Sequence, residues 1–192
     1  MKRDLFSHCL IAALVLLMWT PSVGQQSYFL AGNQQFTVSG TSSIHDWDMN
    51  AKDDINGTAQ LTIESGKLTK IQSLSIDLPV KSLKSGKGSM DNNAYEALTV
   101  KKYPSIKFEM TELTSISGNV VKVKGKVTIA GTTKIIPLEV IYSLNGSTIK
   151  FKGTQDILFS DFNVKPPTAV FGTIKTGNEL TLAFEASFSP KN

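Results

Sequence analysis

Val121-Lys122-Val123-Lys124-Gly125-Lys126-Val127-Thr128-Ile129 alternates branched apolar side chains with lysines and a threonine. Successive side chains of a β-strand point to opposite faces, so this spacing dries one face and wets the other. The same alternation recurs on both sides of it. Ile106, Phe108 and Met110 precede it, Ile136, Leu138, Val140, Tyr142 and Leu144 follow it, and Leu74, Ile76, Leu78 and Val80 lie further upstream. Leu180, Leu182, Phe184, Ala186 and Phe188 repeat it near the C-terminus. The count reaches nine or ten such segments, and helical periodicity is nearly absent.

Between the segments stand Asn56-Gly57, Ser65-Gly66, Gly118-Asn119, Gly131-Thr132, Asn145-Gly146 and Gly177-Asn178. Asn and Gly tolerate the positive φ that tight hairpin turns require, so consecutive strands pair antiparallel. The turns also account for the sequons Asn56-Gly57-Thr58 and Asn145-Gly146-Ser147 better than glycosylation does. One stretch, Lys84 to Lys102, breaks the β pattern and reads as a short helix. Its apolar stripe is Met90, Ala94, Ala97 and Leu98, with Ser89 or Asp91 as cap. Asn163 to Thr173, with Pro166-Pro167 and Phe171-Gly172, reads as a long loop that Asp161 ties down. The expected fold is all-β: an antiparallel up-and-down barrel of about eight strands with one short helix at a mouth, since closure hides strand edges.

Residues 1–24 carry a separate signal. Lys2 and Arg3 lead into the apolar run Leu10 to Trp19, which Thr20-Pro21 breaks before the small residues Ser22 and Gly24. This is the pattern of a secretory signal peptide, cut after Gly24. The run is about half the ~20 residues a spanning helix needs, so no stable membrane anchor is expected. Cys9 precedes the run, the wrong side for lipidation. Residues 25–192 then form one domain, exported to a periplasm or secreted.

Composition excludes several chemistries from that domain. Without Lys2, Arg3 and Asp4, 20 basic against 16 acidic residues become 18 against 15, a net +3. No arginine remains and the lysines are dispersed, which does not suit nucleic acid. No cysteine remains either, so disulfide and thiolate chemistry are absent. The one remaining histidine is His45, in Thr41-Ser42-Ser43-Ile44-His45-Asp46-Trp47-Asp48. A zinc site needs about two more ligands with metal spacing. No Gly-x-Ser-x-Gly elbow accompanies His45, and no phosphate loop or dinucleotide fingerprint occurs. No metal, cofactor or enzymatic activity is expected, although a hydrolase using His45 with Ser42 or Ser43 is one reading kept for test. On a strand, His45, Trp47 and Met49 would share one face, with Trp47 lining the barrel and His45 either a hydrogen-bonding anchor near its mouth or a satisfied structural group.

An ordered set of pieces resembles the YceI-like family of exported lipid-binding barrels over nearly the whole of residues 25–192. They are Phe36-Thr37-Val38-Ser39-Gly40-Thr41-Ser42, Pro79-Val80-Lys81-Ser82-Leu83 and Met90-Asp91 with Ala97-Leu98. Further on come Tyr103-Pro104-Ser105-Ile106-Lys107-Phe108, Val123 through Lys134, Ser160-Asp161-Phe162, Pro166-Pro167 and Phe171-Gly172. The resemblance implies a lipocalin-like barrel whose interior holds an isoprenoid chain, such as a polyprenyl quinone or polyprenyl phosphate, without a reaction. Where many members carry a histidine followed by serine or glycine, this chain has His45-Asp46, a departure at the expected mouth.

With the apolar faces turned inward, the expected lining is Phe36, Val38, Trp47, Leu74, Ile76, Leu78, Ile106, Phe108, Met110, Val140, Tyr142 and Phe184. His45 and Phe171 are expected at the opening. An alternative is a structural or adhesive barrel with a filled core.

Overall fold

The computed structural model of the protein describes residues 25–32 and 34–191. The export pattern of residues 1–24 lies outside them. In chain order the strands are β1 (Gln26–Leu30), β2 (Gln35–Ser42), β3 (Trp47–Ala51), β4 (Asn56–Glu64) and β5 (Lys67–Pro79). A 3-10 turn at Val80–Ser82 and helix α1 (Gly88–Ala97) follow. Then come β6 (Ser105–Ser117), β7 (Val120–Ile129), β8 (Thr132–Asn145) and β9 (Thr148–Leu158). A second 3-10 turn at Phe159–Phe162, the short β10 (Thr168–Ala169) and β11 (Ile174–Pro190) end the described chain.

The ladders run β1-β4-β5-β6-β7-β8-β9-β11 and return from β11 to β1, a closed antiparallel ring of eight strands. One edge of β11 pairs with β9 along ten residues. The other edge is shared, with β1 at Phe188–Pro190 and β2 at Thr176–Glu185. β1 with β2, and β3 with β4, are therefore two staves each broken in the middle. Counting them so, the order is up-and-down. Above the break, β3 is joined to the far side by the Asn50–Lys84 bridge, with N–H to carbonyl distances of 2.8 and 2.9 Å.

The alternation read in the sequence sets the two faces. On β7 the valines and Ile129 are buried or nearly so, while the lysines are exposed. Outside, Lys122 pairs with Glu139 at 2.9 Å and Lys124 with Glu112 at 3.0 Å. Such solvated pairs contribute at most about 1 kcal/mol each. Stability comes from the interior. One cluster, including Tyr28, Leu61, Leu68, Val121, Tyr142, Ile149 and Phe188, fills the end where the β4–β5, β6–β7 and β8–β9 hairpins turn. This end is the base.

Two of the expected turns are not turns. Asn56-Gly57 lies within β4, where a Cβ on Gly57 would strike Ile76 and Leu30, so this glycine marks a close approach. Gly177-Asn178 sits in a bulge of β11, against Thr41. The helix forms where expected, but neither Ser89 nor Asp91 caps it; Lys87 is the N-cap residue and gives no side-chain bond. Asp161 does not tie down the proline loop. Its carboxylate accepts the Leu158 N–H at 3.1 Å, and the loop is held by the Thr176 N–H donating to the Pro167 carbonyl at 3.2 Å.

Leu61 is fully buried in the base. Leu61→Ala is expected to lower stability by about 3 kcal/mol, within the ~2–5 kcal/mol range of Leu-to-Ala core cavities. Urea unfolding followed by tryptophan fluorescence reads this as a lower midpoint.

Candidate functional site

The opposite end of the barrel is hollow. A cavity of about 500 Å³ descends from the mouth, within the ~300–1,000 Å³ typical of small-molecule sites. The β2–β3 turn, α1 and the segment 164–176 surround the opening. Met90, Ala94, Ala97 and Leu98, the apolar stripe of α1, face the cavity, so the helix flanks the mouth.

The walls come from the inward residues of the strands. Phe36, Val38, Trp47, Leu74, Ile76, Leu78, Ile106, Phe108, Val140 and Phe184 all line the cavity. Phe36 and Phe184 are cross-strand partners whose rings stack at 6.2 Å. Large rings leave room here because glycines lie opposite them. Phe108 rests on Gly125, which would lose that space to any Cβ, and Trp47 rests on Gly40 in the same way. Phe184 and Val140 both approach Gly153 at 3.0 Å from where a Cβ would sit. Rings that settle into the space over strand glycines leave more of the tube open than rings held off by a Cβ would. The Trp47 indole N–H donates to the Thr41 carbonyl at 2.9 Å, which satisfies its one polar group and fixes its angle. Phe151 and Phe188, edge to face at 6.1 Å, form part of the floor.

Two expected lining residues lie elsewhere. Met110 packs against the basal cluster, where a bulge between Met110 and Glu112 interrupts β6. Tyr142 is below the floor, its hydroxyl accepting the Leu68 N–H of β5 at 3.3 Å across the base. Phe171 stands at the opening, fully exposed, where it borders a shallow depression with Ser89 and Asn93 and is not part of the cavity wall. Other wall residues are absent from the expected lining. Val123, Val127 and Ile129 of β7, and Leu180 and Leu182 of β11, follow the same alternation and were readable from it. Ala169, Val170 and Ile174 reach the mouth only because the long loop folds back as the β10–β11 hairpin.

His45 does line the mouth, but from the β2–β3 turn and not from a strand. Its Nδ1 lies 2.7 Å from the Asp46 carbonyl. The Ser42 hydroxyl donates to the His45 carbonyl at 2.7 Å and also accepts the His45 N–H at 3.2 Å. Ser42 is thus engaged with the backbone of His45, not with its ring. Among the described residues, no group of three or more His, Cys, Asp or Glu side chains could hold a metal ion, and no helix is long and apolar enough to cross a membrane.

A polar clasp seats the helix. The buried Asp91 carboxylate accepts the Ser85 N–H at 2.8 Å and the Ser85 hydroxyl at 2.7 Å. Burial pushes its pKa up, but these bonds and the charge of Lys84 prevail and hold it below the usual carboxylate range. The Tyr95 hydroxyl, 2.8 Å from the Leu83 carbonyl and 3.0 Å from that of Lys81, donates to this strap of chain after β5, residues 80–84, and accepts from Lys84 Nζ at 2.8 Å.

Known proteins share this architecture. A family model described as the YceI-like domain matches residues 27–188. A UPF0312 protein of Pseudomonas putida strain W619 is 28% identical over 178 residues, 85% of this chain and 91% of its own. BcnA of Burkholderia cenocepacia has a similar fold, with TM-score 0.65 and 21% identity over 80% of this chain and 95% of that one. So has a polyisoprenoid binding domain from Saccharophagus degradans implicated in plant cell wall breakdown, with TM-score 0.64 and 13% identity over 86% and 99% of the two chains.

Two outcomes follow from the geometry. Gly125→Val is expected to force the Phe108 ring out of its seat and reduce the cavity, read as loss of uptake of an apolar dye in a protein that still gives a β-sheet circular dichroism spectrum. Because the folded pKa of Asp91 is lowered, its contribution is complete above the unfolded value near ~4 and is lost as pH falls through the folded value. The gap in urea midpoint between wild type and Asp91→Ala should therefore be constant at neutral pH and close below about pH 4.

Proposed function

This chain belongs to the YceI-like domain family, and from that membership and its hollow barrel we propose that it binds a long apolar lipid of isoprenoid type and does not transform it. The observation that carries the reading is the cavity: a tube open at the mouth, walled by hydrocarbon and aromatic side chains, floored by Phe151 and Phe188 and flanked at its opening by the apolar stripe of α1. Each ~100 Å² of chain surface withdrawn from water there contributes about 2.5 kcal/mol. Affinity then needs no strong polar contact.

The polyisoprenoid binding named for the Saccharophagus degradans domain supports an isoprenoid cargo, polyprenyl quinone or polyprenyl phosphate. Lys87, Ser89, Asn93 and His45 stand at the mouth, where the polar head of such a lipid would remain in water. The pattern of residues 1–24 supports a role outside the cytoplasm, in a periplasm or beyond, as carrier, store or scavenger. The hollow upper half favours this reading over a structural barrel with a filled core. The attachment of Ser42 to the His45 backbone favours binding over hydrolysis.

Native mass spectrometry of the purified protein, with solvent extraction, is expected to yield an apolar molecule of isoprenoid mass. Delipidated protein should regain thermal stability on adding a polyprenyl quinone, by about 2.7 kcal/mol at a hundredfold excess over Kd. Absence of any extracted lipid together with no stabilisation by quinone or phosphate would overturn the reading.

A further inference from the structure

We propose that the rim of the mouth docks onto the surface of an anionic lipid bilayer, inserting the tip of the β10–β11 hairpin. Three large apolar side chains are exposed at that rim: Phe171 completely, Val170 at 62% and Ile44 at 61%. Soluble surfaces rarely gather such residues without a partner. The two loops carrying them are fastened together, the Ser43 N–H donating to the Lys175 carbonyl at 2.9 Å and the Lys175 N–H to the Ser43 hydroxyl at 3.2 Å.

The tip is also held out against backbone preference. Val170 and Phe171 have φ of 49° and 55°, the left-handed region that a β-branched residue avoids. Strain of this kind persists only where surrounding structure enforces it. Here the enforcing bonds are the Gly172 N–H to the Ala169 carbonyl at 3.1 Å, and the Thr173 N–H and hydroxyl to the Val170 carbonyl at 3.1 and 2.7 Å. The result is a convex apolar finger, a shape suited to a deformable bilayer rather than to a preformed protein pocket.

Charge and continuity point to the same occupant. The mouth segments 42–46, 84–97 and 164–176 carry Lys84, Lys87, Lys165 and Lys175 against Asp46, Asp91 and Glu96, and Asp91 is buried on Ser85. Lysines beside an apolar tip add electrostatic attraction to anionic headgroups. Val170 and Ile44 line the cavity as well as the rim, so apolar surface continues from the exposed tip into the tube. An apolar cargo could pass between bilayer and barrel along it without crossing water. Only this use of the surface rests on the proposed lipid binding; the docking itself does not.

The test is flotation of delipidated protein with vesicles of phosphatidylglycerol and phosphatidylethanolamine, beside vesicles of phosphatidylcholine alone. Wild type should adsorb to the anionic vesicles and release between ~0.1 and ~1 M salt, as the Debye length falls from ~10 to ~3 Å. Phe171→Asp should weaken adsorption about tenfold or more. Ile141→Asp, at an apolar position 53% exposed on the barrel's outer wall, should leave it unchanged. A wild type that ignores both vesicles, or a Phe171→Asp protein that adsorbs as wild type does, overturns the proposal. Since the assay uses delipidated protein, failure to bind isoprenoids would sink the proposed cargo and leave the adsorption result standing.

Discussion

Closure of the β-ring through β11 is the constraint on which the rest of the molecule depends. This strand pairs with β9 along one edge and with β1 and β2 along the other. An open sheet would leave backbone groups unpaired at its edges and one apolar face needing a second layer to cover it. A closed ring pairs its own backbone and turns every apolar face toward a common axis. Only then can the interior be left partly empty without exposing hydrocarbon to water.

How much of the interior is filled follows from side-chain volume. At the base, Tyr28, Leu61, Tyr142 and Phe188 meet across the axis and pack. Higher up, rings of similar size are present, but Phe108 and Trp47 occupy the space that a Cβ on Gly125 or Gly40 would fill. The glycines set the bore of the tube as much as the aromatics do. Helix α1 then flanks the opening, seated by the Asp91–Ser85 clasp and by Tyr95 bonding back to the strap after β5. An apolar tube open at the mouth is the geometry that supports the proposed lipid cargo.

Ten of the expected lining residues reach the cavity because their direction depends on alternation alone, which a strand enforces locally. Met110 and Tyr142 share that alternation and yet lie elsewhere. Depth along the barrel axis, not direction, decides whether an inward residue meets a cavity or a plug, and depth depends on strand tilt and on bulges such as the one after Met110. Gly57 and Gly177 show the same limit. A glycine dipeptide reads alike in a hairpin turn, under a neighbouring side chain or in a bulge, and the neighbour that distinguishes these cases lies far away in the chain.

The sequence by itself determined the all-β class, the inward and outward faces, the site of the helix and the absence of cysteine and arginine from residues 25–192. These are properties of neighbouring residues, encoded by a period of two and by composition. Tertiary structure alone decided the hollow upper half, the packed base, the seat of Asp91 and the exposed tip at Val170 and Phe171. Each of these is a relation between residues brought together by ring closure, in which the space left over depends on what faces a side chain from across the barrel.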